Sequence, residues 1–409
     1  MTLFKKNLQY YKFSAYGFLK NLRFFDIFFI LFLVDQGLSY TQIGILYAVR
    51  EISINILEIP SGMLADTFGR RKSLIFSFLS YIASFMIFYF SNNFFFFLPA
   101  FILFGAGDAF RSGTHKGLIM DYLKQQNWSD QKIAYYGHTR SWSQRGAALS
   151  SLIAGLILFA RGNYQDIFLF STLPYILNMI LIISYPKELD QIRKQSKKAA
   201  LRSTFKSFFS VIKDVRVIKL ISHSALHSAY LKAIKDYIQP LMLQVAILIP
   251  LIHNTERDQQ NGLTIGIFYF TIYIITSLAS RSSSKIEQKS RRNIITLTLL
   301  IGFVSGILSG LLYQQGLYIF ALISFALIYI IENIRKPIMT GYVADQVPGE
   351  ILSSVLSAQS QIKTIMTAGI ALAFGIFADW LGIGWSLCIV SAILTTGMLI
   401  LSIFAPKKQ

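Results

Sequence analysis

Asp108, Arg111, Gly117 and Asp121 lie at the end of a long apolar run, and Glu332, Arg335, Gly341 and Asp345 repeat the pattern in the second half of the chain. Both sets read acid, arginine three residues on, glycine nine on, aspartate thirteen on. On insertion scales a charge at the centre of an apolar helix costs about 2.5–3.5 kcal/mol, so such residues mark pathways, relays or switches. Their duplication predicts two related halves with polar groups gathered around a shared site.

Further charges fall inside apolar stretches. Arg23/Asp26, Asp108/Arg111 and Glu332/Arg335 are i,i+3 pairs, spaced to share one helix face. Each pair can simply neutralise itself, but a desolvated pair adds little stability, so keeping three near mid-depth favours a functional use. Arg50, Arg145 and Lys363 have no carboxylate at a neighbouring position on their own face, since Glu51 points away from Arg50's face. They are candidates for contacting an anionic group, because a guanidinium forks onto carboxylate or phosphate. Lys232 and Asp236 join this group of candidates. Asp26, Glu51, Asp108 and Glu332 are candidates for proton coupling, since a carboxylate in low dielectric holds its proton more readily. Twelve Lys/Arg against eight Asp/Glu fall within the apolar stretches, a surplus that an anionic partner would balance.

Other constellations carry less. His223 and His227 share a helix face, but no third ligand lies nearby, and Lys232 and Lys235 would repel a cation. His115 precedes Asp121 by six residues with no supporting element. Neither a metal site, a cofactor nor an enzyme is expected.

The elements that hold these residues follow from composition. The 409 residues are 54% hydrophobic and 14% charged, with a mean hydropathy of +0.51. That excludes soluble and disordered chains and fits an all-α membrane protein with many crossings. Twelve stretches reach the length of about 20 residues that a spanning helix needs. They lie near 11–34, 39–60, 73–91, 94–122, 137–160, 164–185, 216–240, 262–280, 293–313, 316–340, 353–378 and 384–404. The seventh is expected to bend or break near Pro240. Phe94 to Phe97 read as an interfacial aromatic belt. The basic stretch from Met1 to Lys12 lacks a following cleavage site and reads as the start of a retained helix. Cys388, the single cysteine, can form no internal disulfide.

The net charge of +19 is distributed by topology. Twenty-five Lys/Arg lie at or beyond the span ends on the side of the N-terminus, against Arg161 and Arg257 on the other. This places both termini in the cytoplasm and the protein in the inner membrane. Anionic lipid headgroups, not nucleic acid, are the expected partner of the excess charge. A basic linker, 186–215, separates a six-helix bundle over 1–185 from another over 216–409, and reads as a solvated or membrane-surface helix.

The halves match elsewhere. Ile43-Gly44-Ile45-Leu46-Tyr47 opens the second span and Ile265-Gly266-Ile267-Phe268-Tyr269 opens the eighth. Between spans two and three the chain reads Gly62-Met63-Leu64-Ala65-Asp66-Thr67-Phe68-Gly69-Arg70-Arg71-Lys72. This loop resembles the signature loop of the major facilitator superfamily, with Thr67 where Arg is common. The likeness covers essentially the whole chain, and the second copy near Arg291 and Arg292 is eroded. The resemblance implies twelve helices in two pseudo-symmetric bundles, alternating access to a central site, a small-molecule substrate and a monomer. It also implies a cytoplasmic gate in which Asp66 faces the start of span eleven and Arg70 bridges to Asp121. Arg292 with Asp345 would form the second, degenerate copy. No Gly-Pro pair marks span five, which argues against a drug antiporter. The expected cargo is a small anionic or zwitterionic metabolite coupled to protons. Drug efflux, a lipid flippase and a non-transporting sensor or scaffold are the alternatives.

Overall fold

The computed structural model describes residues 6–128, 131–189, 215–248, 257–287, 291–347 and 352–403, and most of the linker lies outside them. Every regular element among the described residues is helical. Among the described residues, eight helices are long and apolar enough to cross a membrane: Arg70–Phe90, Phe94–Gln125, Tyr135–Arg161, Tyr164–Ile183, Asn261–Ala279, Thr296–Gln314, Tyr318–Val343 and Val355–Met398. The chain divides into two compact units. One comprises Met1–Phe32, Val49–Ser196 and Pro250–Tyr273; the other comprises Leu33–Ala48, Lys197–Ile249 and Ile274–Gln409.

In the first unit, α1 (Leu8–Lys20) is capped by Asn7, whose side chain accepts from Tyr10 N–H. The helix was expected to continue to residue 34 and instead stops at Asn21. There the side-chain amide donates to Gly17 O at 2.7 Å, competing with the backbone ladder. A 3-10 turn (Phe24–Ile27) and the short α2 (Phe29–Asp35) follow. Helix α3 (Tyr40–Phe68), whose first nine residues belong to the second unit, ends at Gly69, where φ is +99°, and α4 (Arg70–Phe90) begins. The expected single span 94–122 is likewise two helices, α5 (Phe94–Arg111) and α6 (Thr114–Gln125). Gly113 separates them with φ +72°, a conformation that a side chain would strain. The long α7 (Lys132–Arg161) and α8 (Tyr164–Ile183) complete the unit's described helices up to its last segment.

Phenylalanine fills this core. Phe25, Phe29, Phe85, Phe88, Phe104 and Phe168 pack ring against ring, with Phe29 stacked on Phe101 at 5.3 Å. Such pairs add about 0.5–1.5 kcal/mol each beyond the area they bury. Of the Phe94–Phe97 run, Phe95 and Phe96 are exposed, whereas Phe97 turns fully inward. Leu169, Leu173, Leu177 and Ile180 form an exposed apolar stripe on α8, as a lipid-facing surface requires. The end of α8 is held by two cations: Lys12 donates to Ser184 O and Arg71 to Ile183 O, both at 2.7 Å. Cations there complement the carbonyl end of the helix dipole.

In the second unit, α9 (Val215–Ile234) gives way to a 3-10 turn at Lys235–Tyr237 and then to α10 (Ile238–Leu248). The break thus precedes Pro240, which sits in the first turn of α10 where proline is tolerated. Helix α11 (Arg257–Glu287) contributes to both units; α12 (Arg291–Gln314), α13 (Tyr318–Gln346) and α14 (Leu352–Ile403) follow. Helix α14 is two segments joined at Gly382, whose backbone is not helical. Asp379, just before that joint, accepts from Tyr40 N–H at 2.8 Å and Thr41 N–H at 2.7 Å, capping the start of α3. Nothing in its sequence surroundings marked this role.

Candidate functional site

The first half's charged repeat closes on itself. Arg111 Nη2 donates to Asp108 Oδ1 at 2.8 Å. Tyr81, from α4, donates its hydroxyl proton to the same oxygen at 2.5 Å and accepts from Arg111 Nε at 3.1 Å. Three groups from two helices therefore satisfy one another in the unit's interior. Lys20, Arg23 and Tyr175 lie within electrostatic reach of this ensemble, and Arg140 lies within reach of Lys20. Arg23 Nε and the hydroxyls of Tyr16 and Tyr175 are buried there with no hydrogen-bond partner. Asp26 lies within electrostatic reach of Arg23. Asp26 falls in the 3-10 turn beyond the break of α1, so the spacing of a continuous helix no longer applies.

Thirteen residues beyond Asp108, Asp121 meets Arg70 Nη1 at 2.7 Å. The intervening glycine leaves the guanidinium room: a Cβ on Gly117 would lie 2.6 Å from Arg70 Cζ, so a larger residue there would oblige the arginine to shift. The side chains of Asp66 and Arg292 lie outside the described ones, and Asp345 is exposed in the last turn of α13.

The second repeat does not close. Glu332 accepts from His227 Nδ1, 2.7 Å from its Oε2, and from the Ser228 hydroxyl. Arg335 turns away, donating to Thr298 Oγ1 at 3.1 Å and His223 O at 3.3 Å. The expected Glu332/Arg335 pair is thus corrected. The i,i+3 spacing permits it, but α9 presents His227 and Ser228 to the carboxylate first. The His227 ring thus serves Glu332, whereas His223 gives its backbone carbonyl to Arg335.

Arg50 also departs from expectation. It pairs with the adjacent Glu51, Nη2 to Oε1 at 3.2 Å, both groups being buried. Cα–Cβ directions on a helix separate neighbours by face, but a guanidinium on three methylenes swings back across that angle. Arg145 is exposed and lies over the Trp142 ring at 4.8 Å, a cation–π contact, not an interior position. Lys232 is half-buried. Asp236, in the 3-10 turn, accepts from Tyr47 hydroxyl and Lys235 Nζ, each at 2.8 Å. Lys363 is half-buried and lines a cavity of about 180 Å³ within the second unit, together with Arg335 and Lys336.

Sequence reasoning missed Tyr81, Ser228, Thr298 and Tyr47 as partners of the charges. These are neutral residues on other helices, and no spacing within the chain connects them to the charged groups they bind.

Helices with apolar outer faces and ionised groups folded into their interiors define an integral membrane protein of the transporter class. The sequence pattern of the major facilitator superfamily matches residues 18–368, and the chain belongs to that superfamily. It is 22% identical over 418 residues to the uncharacterised MFS-type transporter YxaM of Bacillus subtilis (strain 168), covering 98% of this chain and 96% of YxaM. Among solved structures, the fold resembles the nucleoside transporter NupG with a TM-score of 0.76 at 13% identity, covering 97% of this chain and 100% of that one. It resembles a peptide transporter POT crystallised with sulfate at 0.74 and 14% identity, over 97% and 94% of the two chains. For a D-xylose-proton symporter the values are 0.69 and 15%, over 97% of each chain.

Proposed function

We propose that the protein is a secondary active transporter of a small anionic or zwitterionic metabolite, working by alternating access with protons as the coupling ion. The observation that carries the anionic cargo is the cationic surplus of the first unit. Lys20, Arg23 and Arg111 gather around Asp108, with Arg140 within reach of Lys20, and Arg23 Nε, Tyr16 and Tyr175 bring buried donors with no acceptor to meet. A buried donor left unsatisfied costs about 1–3 kcal/mol, which an anionic cargo would recover. Proton coupling is supported by Glu332, a carboxylate bound to a histidine, and by the likeness to a proton symporter.

In this reading the chain crosses the inner membrane twelve times, with both termini cytoplasmic, and functions as a monomer. The eight apolar helices support it once four are added. The broken α1–α2 and α9–α10 stretches each supply one crossing, the charged α3 another, and the two segments of α14 count separately. Domains over 1–185 and 216–409 would exchange access, and Asp66, Arg70, Asp121, Arg292 and Asp345 would hold the cytoplasmic gate.

The test is ligand-induced thermal stabilisation of the purified chain against anionic, zwitterionic and lipophilic cationic panels at two pH values. A ligand at about 100 times its Kd stabilises by roughly 2.7 kcal/mol. Stabilisation by anions that is lost in Arg23→Gln is the expected result. Stabilisation by lipophilic cations alone would overturn the assignment of cargo.

A further inference from the structure

Three tyrosines of the first unit meet on one ring. Tyr16 of α1, Tyr81 of α4 and Tyr175 of α8 pack edge to face with Phe78, at centroid distances of 6.0, 6.1 and 5.4 Å. The Tyr81 hydroxyl is taken up by Asp108 and Arg111. The hydroxyls of Tyr16 and Tyr175 are buried without a hydrogen-bond partner, and so is Arg23 Nε. Tyr175 stands within electrostatic reach of Arg23, and Tyr16 within reach of both. Asp26 is within reach of Arg23 as well, yet the Nε–H lacks an acceptor.

The rings are fixed by their neighbours, so the hydroxyls cannot turn aside. Tyr16 stacks on His115 at 3.5 Å with the planes 6° apart, and Tyr175 meets Tyr81 and Phe85 at 5.2 and 5.0 Å. Helix α1 stops at Asn21, so Arg23 stands in the break before the 3-10 turn. Tyr175 follows the start of α8 at Tyr164 by eleven residues. At 1.5 Å per residue that is about 16 Å, near the middle of a bilayer. Water is scarce at that depth, and a donor left without an acceptor is costly there. In transporters built from repeated halves, broken helices near the midplane hold the substrate. Lys20 and Arg23 are only half-buried, which leaves the cluster open to a solute on their side.

The donor set narrows the ligand. One donor belongs to a guanidinium, and two belong to phenols, which are neutral. A carboxylate offers two oxygens with about four lone-pair sites, some for a guanidinium edge and the rest for the phenols. A phosphate dianion spreads more charge over three oxygens at wide angles and calls for more charged donors than this set holds. A sulfonate carries a single charge, but its oxygens are weak acceptors for a phenol.

We infer that Arg23, Tyr16 and Tyr175 bind the carboxylate of the cargo. This rests on the transporter reading and narrows its small anion to an organic carboxylate. Without cargo the two phenols make no hydrogen bond that a phenylalanine would lose, which separates a binding role from a packing role.

The experiment is a melting curve of the purified full chain at fixed ionic strength and pH. Propionate, benzoate and succinate are the carboxylate probes, with ethanesulfonate and methyl phosphate as tetrahedral controls. A carboxylate should stabilise the chain at concentrations about tenfold or more below either control. Tyr16→Phe and Tyr175→Phe should each weaken its affinity about tenfold and leave the melting temperature without probe unchanged or raised. Arg23→Gln should abolish the response, and Arg23→Lys, which keeps the charge but not the fork, should retain only part of it. If the controls act as well as the carboxylates, the inference falls and the anionic cargo stands. The same holds if the phenylalanine variants lower the bare melting temperature and bind carboxylate as the parent does. A chain that no anion stabilises sinks the transport reading of the cargo as well.

Discussion

Asp108 and Arg111 bind each other, whereas Glu332 and Arg335, at the same spacing in the same pattern, do not. The difference lies in what faces each acid. Against Asp108 stands Tyr81, which donates to the carboxylate and accepts from the guanidinium, completing the pair. Against Glu332 stand His227 and Ser228, both donors, which fill the carboxylate and release Arg335 toward Thr298 and the cavity. Duplication therefore set the positions of the charges, and the neighbouring helices divided their roles. The first half holds a closed pair amid surplus cations, and the second separates acid from base.

The largest effect should come from splitting the closed pair. Asp108→Ala leaves the half-buried Arg111 with only Tyr81, and losing a charge-assisted partner there should cost up to about 3 kcal/mol in thermal unfolding. Arg111→Ala should act similarly, and a double mutant should recover part of the loss, giving a coupling energy above about 1 kcal/mol. The same cycle on Glu332 and Arg335 should give coupling within about 0.5 kcal/mol, because the two share no bond. Equal coupling in both cycles would erase the contrast. Next in size, His227→Ala should destabilise by about 1–3 kcal/mol, because it removes a buried donor to Glu332. A loss no larger than that of an exposed substitution would return Glu332 to Arg335. A smaller effect, about 1 kcal/mol, is expected of Tyr81→Phe, which removes one hydroxyl from the closed pair. It should lower the Asp108/Arg111 coupling without abolishing it. Asp379→Ala, outside both clusters, should cost about 0.5–2 kcal/mol as the loss of a helix cap and leave both cycles unchanged.

Much of this was legible in one dimension. Hydropathy marked the apolar stretches that hold the eight long helices, and the repeated acid and arginine pointed to charges that the fold gives partners. Even the glycine at +9 has its reason in the contact between Gly117 and Arg70. What spacing could not show was the partner on another helix. Tyr81 and His227 look like ordinary members of apolar stretches until α4 and α9 bring them against the acids. The helix-face argument failed at Arg50 because it follows Cβ directions, whereas the charge sits at the far end of a flexible side chain. The break at Asn21 has no proline or glycine to announce it; a side-chain amide bonded to Gly17 O accompanies it.

The cap on α3 has a consequence for biogenesis. Asp379 meets the amide of Tyr40 across 339 residues of chain. At synthesis rates of about 5–20 residues per second, roughly 20–70 s pass between the two leaving the ribosome. Throughout that interval the start of α3 has no carboxylate to receive its first amides. The first turn of an early helix is therefore finished only when residue 379 arrives, and a chain cut short before Asp379 would leave that helix end without its cap.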